Sequence, residues 1–377
     1  MRANGTSAGH GRRLYASPGE ACSRPYTPAR MPYELPPDRR SLRRTRIAGW
    51  VTFAVAALLV ALGTYLAYVA FEGSSQLTEP PFHSADCRTP ATLGWEYEAI
   101  NYDIATDAAL AAESDPLQCS TQGATAGEAL TARDGVPIAG WYIPAGTGAA
   151  PTAPTVVLTH GWGSNKSSLL DRAAVLHDRY NLVLFDLRNH GQSGDAMTTQ
   201  GVAEQSDLRA VIDWLVDTKQ PDQIAVLGVS MGGATAINEA DDDDRIDAVI
   251  LESTHATLAN AAERRLARAG YPLSLPASWA ILLGGLVRTG LDMSAVDPVQ
   301  AVARFDERPL LVISGGADDA IGAADAQDLA NAATESGSPI TLQICPTAIH
   351  GNAPDACPAE YADWVLGFLE QSIGPDA

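Results

Sequence analysis

The sequence predicts an α/β fold: a mostly parallel sheet with helices on both faces and a small helical cap, preceded by one transmembrane helix. Three observations predict it. Apolar, β-rich runs alternate with helical patterns from residue 155 to the end of the chain. A Gly-Val-Ser-Met-Gly-Gly turn at 228–233 stands where one such run gives way to a helical pattern. Ahead of both, residues 47–71 form a stretch of 25 without a charge.

The sheet is read from the alternation. Strands are expected at 155–160, 182–186, 223–228, 247–252, 309–314 and 339–345, and helices at about 167–178, 204–218, 232–240, 323–335 and 358–372. Near-continuous apolar strands separated by helices mark a parallel sheet buried on both sides. Upstream, ALTARDGVPIAGWYIPAG places an Asp134-Gly135 turn between two strand-like runs, a hairpin signal. One domain from 128 to 377 accommodates these elements, and no internal repeat is found. With 46% hydrophobic and 19% charged residues, the chain has ample apolar material for a core.

The N-terminal part is organised by charge. Residues 1–46 carry ten Arg against Glu20, Glu34 and Asp38, a net +7 in a chain of −20, so the remainder carries −27. At about 1.5 Å per residue, 47–71 crosses a hydrocarbon core of about 30 Å with some tilt. Trp50 near one end, and Tyr65 and Tyr68 near the other, suit the two interfaces. Arg39, Arg40, Arg43, Arg44 and Arg46 crowd the N-terminal flank, which the positive-inside rule leaves in the cytoplasm, with the rest exported. The stretch exceeds the 7 to 15 residues of a signal-peptide core, and Tyr68-Val69-Ala70 lacks a small-x-small site, so an uncleaved anchor is expected. The basic tail 1–46 reads as disordered and 72–94 as a linker within an extension, 72–127, which includes an Ala-rich helical run at 105–113. Cys87, Cys119, Cys345 and Cys357 lie beyond the anchor and Cys22 before it. Four cysteines permit three pairings; proximity favours Cys87 with Cys119 and Cys345 with Cys357.

Chemistry concentrates at strand ends. In Gly228-Val229-Ser230-Met231-Gly232-Gly233 the serine sits at a strand-to-helix corner, where residues two before and two after must lack bulk. Its hydroxyl is then presented at a helix N-terminus, which favours developing negative charge. A serine needs a base and a group that orients the base. His350, after the last strand, is the only histidine beyond position 255 and is the candidate base. Asp318 or Asp319, after PLLVIS, is the candidate acid, with Asp318 preferred. The loop HGWGSNK, 160–166, offers an oxyanion hole in which backbone N–H groups of Trp162 and Met231 are the expected donors. His160 shapes that loop and receives no proton-transfer role. Segment 254–305 holds more than one helix of material and is read as the cap; its apolar run 274–286 lines an acyl pocket or packs on the sheet.

HGWGSNK, FDLRNHGQSG, GVSMGG, DPVQAV before RPLLVISGGADD, and IHGN follow one another in an order that resembles the α/β-hydrolase family over about 128–370. The resemblance is to bacterial serine esterases and to serine aminopeptidase-like and dienelactone-hydrolase-like branches. It implies that His190, in the turn after a strand, is a scaffold residue. Ser314 stands where relatives often carry His, and Ala320-Ile321-Gly322 lacks the Pro commonly seen there.

The resulting expectation is a membrane-anchored, extracytoplasmic serine hydrolase acting on carboxylic esters of small molecules or on peptide acyl groups, with no cofactor and no metal. Asp241–Asp244 reads as a solvated turn. Net negative charge on the exported part disfavours nucleic acid. A peptidase or acyltransferase on the same three residues, or a non-catalytic binding protein of the same fold, are the alternatives.

Overall fold

The computed structural model describes residues 39–80, 86, 88–101, 130–146, 152–305 and 307–374. The chain divides into two compact units, Met1–Leu59 and Val60–Ala377. The described residues of the first belong to helix α1 (Arg39–Thr78), which continues into the second. Its 40 residues measure about 60 Å at the α-helical rise. Over Leu42–Thr78 it is, among the described residues, the one continuous helix long and apolar enough to cross a membrane.

The helix runs past the apolar stretch through residues 72–78, where the sequence suggests a linker. Gly73, Ser74 and Ser75 are weak helix formers, so tertiary partners hold this turn. The carbonyls of Leu77 and Thr78, which no intrahelical donor reaches, are taken by the body of the second unit. The Trp162 indole N–H (3.2 Å) and the Gln200 amide (3.0 Å) donate to Leu77, and the Thr198 N–H (2.9 Å) and the Asn189 amide (3.2 Å) donate to Thr78.

The second unit is built on eight strands, β1 (Glu98–Ile100), β2 (Gly140–Ile143), β3 (Thr155–Thr159), β4 (Asn181–Phe185), β5 (Ile224–Val229), β6 (Ala248–Glu252), β7 (Leu310–Gly315) and β8 (Ile340–Cys345), ordered β1-β2-β4-β3-β5-β6-β7-β8. At one edge β2 pairs antiparallel with both β1 and β4, and the six strands β3 to β8 are parallel. The helices are α2 (Leu170–Leu176), α3 (Glu204–Thr218), α4 (Met231–Asp242), α5 (Leu258–Arg268), α6 (Ser274–Thr289), α7 (Pro298–Arg304), α8 (Ala323–Ser336), α9 (Ala353–Ala356) and α10 (Pro358–Ser372).

Alternate side chains of each parallel strand enter different cores, as a pleated strand requires. Val157, Val183, Val226, Val249 and Val312 pack under α3, α4 and α8. Val156, Leu182, Leu227, Ile250 and Ile313 pack under α2 and α10. This double burial explains the near-continuous apolar runs of β3 to β7, whereas β8, at the edge of the sheet, carries Thr341 and Gln343 and is only partly buried.

Two upstream readings change. The Asp134-Gly135 turn forms, closed by Ala132 N–H to the Val136 carbonyl (2.8 Å), but its ladder is the single bridge Thr131↔Pro137. The downstream run, β2, pairs instead with β4 and β1, so the sheet recruits 98–100 from what reads as an extension. The helical run 105–113, residues 1–38 of the tail and Cys22, Cys87 and Cys119 lie outside the described residues, whereas 39–46, read from sequence as part of the disordered tail, form the first turns of α1. Cys345 and Cys357 form a disulfide. In segment 254–305, α5 and α6 pack on each other, and α6 packs through Ala277 and Ile281 on Val69 of α1 rather than on the sheet. Of the Asp241–Asp244 run, Asp241 meets Arg304 (2.8 Å) and Asp243 meets Arg245 (2.8 Å); neither is simply solvated.

Candidate active site

β5 ends at Val229 and α4 begins at Met231, leaving Ser230 alone at the corner with φ 55° and ψ −116°. Backbone crowding makes the flanking glycines necessary. A Cβ on Gly228 would sit 2.5 Å from the Gly232 carbonyl oxygen, and one on Gly232 would sit 2.5 Å from the carbonyl oxygens of Thr159 and His160. The Ser230 N–H donates to the Glu252 carbonyl (2.8 Å), which ties the corner to the end of β6.

His350 Nε2 lies 3.0 Å from Ser230 Oγ, and His350 Nδ1 lies 2.8 Å from Asp318 Oδ2. The other Asp318 oxygen accepts the N–H groups of Ala320 and Ile321, each at 2.9 Å. Burial opposes the Asp318 charge, yet the His350 bond and these N–H donors outweigh it and hold the carboxyl below its ordinary value. Asp319 turns outward, 80% exposed, to Arg268 at 3.1 Å. The structure thus brings Ser230, His350 and Asp318 into one hydrogen-bonded series and leaves Asp319 out.

Trp162 and Met231 line the same cavity as Ser230 and His350, a space of about 600 Å³. The 160–166 loop is held from beneath. His160 Nε2 accepts the Leu187 N–H (3.0 Å) and its Nδ1 faces the Gly161 carbonyl (2.8 Å), which makes Nδ1 the protonated nitrogen. Complete burial, with His190 beside it, pushes the His160 imidazole down to about 3, so the ring stays neutral. His190 Nε2 accepts the Gly163 N–H (3.0 Å). Lys166 donates its Nζ to buried Asp186 (2.6 Å) and its backbone N–H to the same carboxylate (2.7 Å).

Two features have no signal in the linear sequence. Arg172 in α2 forms a bidentate pair with Glu252 at the end of β6 (2.7 and 2.6 Å), and Tyr361 of α10 donates to the same carboxylate (3.0 Å). Arg172 also donates to the Gly351 carbonyl (2.7 Å), next to His350. His255, 3% exposed, lines the Ser230 cavity with an Nε2 that has no hydrogen-bond partner among the described residues. Burial pushes its imidazole down to about 4.

A hydroxyl, an imidazole and a carboxylate joined in this way can pass a proton from oxygen to nitrogen while the oxygen attacks an electrophilic carbon. A family model for the alpha/beta hydrolase fold matches residues 154–280, which include Ser230 and end before Asp318 and His350. The uncharacterized protein YfhR of Escherichia coli is 28% identical over 251 residues, 65% of this chain and 81% of that protein. The uncharacterized protein Rv2307c of Mycobacterium tuberculosis is 30% identical over 206 residues, 54% and 65% of the respective lengths. Among solved structures, the Pyrococcus furiosus esterase Pf2001 superposes with a TM-score of 0.60 at 23% identity, over 79% of this chain and 99% of its own. An acylaminoacyl peptidase of Pyrococcus horikoshii superposes with a TM-score of 0.50 at 17% identity, over 63% of this chain and 40% of its own. At these identities the structural likenesses speak for the fold. The chain has the α/β-hydrolase fold.

Proposed function

We propose that the chain is a membrane-anchored serine hydrolase that cleaves carboxylic esters through an acyl-enzyme on Ser230. The observation that carries this reading is the unbroken series Ser230 Oγ, His350 Nε2, His350 Nδ1 and Asp318 Oδ2, with spacings of 3.0 and 2.8 Å. Ser230 Oγ attacks the ester carbonyl carbon as His350 Nε2 takes its proton. The oxyanion is received by the N–H groups of Trp162 and Met231. On collapse the carbon–alkoxide bond breaks and His350 returns the proton to the departing alcohol. Water, deprotonated by His350, then releases the acid and restores Ser230. Asp318 holds the imidazole tautomer and its positive charge throughout. These steps need no cofactor.

Residues 47–71 serve as the anchor, with the Arg-rich flank in the cytoplasm and the chain beyond residue 71 on the opposite side. Protease added outside spheroplasts then reaches the catalytic unit; complete protection would reverse the topology.

For the chemistry, the full chain in detergent should turn over p-nitrophenyl butyrate and be labelled by a fluorophosphonate, and Ser230→Ala should abolish both. Either activity persisting in that variant removes Ser230 from the role. A panel of short peptides beside the esters separates the ester reading from a peptidase on the same residues.

A further inference from the structure

We propose that the substrate is a membrane-resident, long-chain acyl ester, and that its chain reaches Ser230 from the bilayer along a groove between α1, α5 and α6. This rests on the serine-hydrolase reading above and names the substrate class of that site. The Ser230 cavity does not end at α5. It shares Trp162, Ala262, Arg265 and Ala269 with a second cavity of about 280 Å³, so the two adjoin across these four residues, and the proposed passage runs through both. The outer part is walled by Tyr68, Val69 and Gly73 of α1 together with Leu266 and Ile281. Tyr68 to Phe71 close the apolar stretch of α1, so the passage opens at the level where lipid gives way to the aqueous side.

Helix α6 supports the same placement. Ala277, Ser278, Ile281, Leu282 and Gly285 face inward, whereas Leu275, Trp279, Leu283 and Val287, four residues apart, are 51 to 78% exposed. A helix apolar on every side with one face open to water is the pattern of a segment lying in lipid. Its 16 residues span about 24 Å, which suits a position in the interface rather than a crossing. The helix is held against α1 there. A Cβ on Gly284 would lie 2.5 Å from the Ala70 carbonyl oxygen, and Arg288 donates to Ser74 Oγ (2.9 Å) and the Phe71 carbonyl (3.1 Å). The exposed stripe of α6 therefore adjoins the end of the anchor.

The polarity of the passage fits an amphiphile. Apolar walls receive the acyl chain, and Glu72, Gln76 and Arg265 give the groove a polar border. Arg265 lies over the Trp162 ring at 5.0 Å and makes no ion pair among the described residues. A chain entering between α1 and α5 delivers its ester carbonyl to the Trp162 side of Ser230, where the proposed oxyanion donors are.

The test uses the full chain in phosphatidylcholine vesicles carrying a fluorogenic palmitoyl ester, with p-nitrophenyl acetate in the water phase as the soluble comparison. Ala269, exposed and lining both cavities, is replaced in Ala269→Trp to plug the junction. The unsubstituted chain should hydrolyse both esters, and the plug should lower the palmitoyl rate at least tenfold relative to the acetate rate. An unchanged ratio overturns the groove. Should Ala269→Trp fail to fold, a palmitoyl ester with a diazirine in its chain tests the unsubstituted protein: crosslinks at Tyr68, Gln76 or Tyr271 are expected, and crosslinks confined to other surfaces overturn the proposal. Acetate turnover without palmitoyl turnover overturns the groove while the serine-hydrolase reading stands. Failure of acetate turnover and of fluorophosphonate labelling together overturns both.

Discussion

Ser230 is the most strained residue of the proposed machinery, because a side chain at φ 55° and ψ −116° clashes with its own backbone. Such a conformation costs about 1–3 kcal/mol, offset by the bonds of the corner to Glu252 and by the packing of β5 and α4. Two inactive variants should therefore differ in stability. Ser230→Gly relieves the strain and Ser230→Ala keeps it, so glycine is expected to be the more stable by about 1 kcal/mol in urea unfolding of the detergent-solubilised chain. Equal midpoints would mean that the corner is not strained. The buried histidines set a second expectation. His160 and His255 are held neutral, titrating at about 3 and about 4, whereas an unfolded histidine titrates near 6.5. Below pH 6.5 the unfolded chain binds protons that the folded chain refuses, so stability falls as pH drops. The loss is steepest between 6.5 and 4, about 1.4 kcal/mol per pH unit for each ring, and levels off below about 3. Unfolding midpoints measured across this window should show a shallower slope in His255→Asn; an identical slope would place a charged His255 in the fold.

At the scale of elements, the ends of α2, β6 and α10 meet in the Arg172, Glu252 and Tyr361 cluster, which fixes Gly351 beside the proposed base. Arg172→Met leaves the fully buried Glu252 carboxylate unpaired and is expected to cost about 3–5 kcal/mol. Tyr361→Phe removes one hydrogen bond to it and should cost about 1–3 kcal/mol. Chemical denaturation of the two variants checks the order, and an Arg172→Met as mild as Tyr361→Phe would mean that water already reaches Glu252. This cluster was not legible in the sequence, because Arg172 and Glu252 lie 80 positions apart and only the sheet brings them together. Strands β3 to β7 were legible for the opposite reason, since burial on both faces writes itself into each run. β1 was not: Glu98-Ala99-Ile100 is too short to show a period, and its identity as a strand depends on Trp141 and its neighbours across the ladder. Within the candidate site, the Ser230 corner was marked by local glycines. The choice between Asp318 and Asp319 depended on a turn whose direction appears only when Ala320 and Ile321 point their N–H groups back at Asp318.

For the whole molecule, the consequence of greatest reach is that the last turns of α1 are part of the body and not a tether. The compact unit begins at Val60, and Leu77 and Thr78 take four hydrogen bonds from the loops around the proposed oxyanion hole and the β4 turn. Val69 packs against Leu266, Ala277 and Ile281. Removing residues 1–59 keeps all of these partners, whereas removing 1–79 strips the apolar cover from α5 and α6. The longer deletion also leaves the partly buried Trp162 indole without its Leu77 acceptor, on the loop that supplies an expected oxyanion donor. In detergent, the chain lacking 1–59 should therefore keep fluorophosphonate labelling and a midpoint near that of the full chain. The chain lacking 1–79 should unfold several degrees lower and label at least tenfold more slowly. Matching midpoints and labelling rates for the two deletions would make the end of α1 a passive leash, and the route by which the anchor supports the site would have to be sought elsewhere.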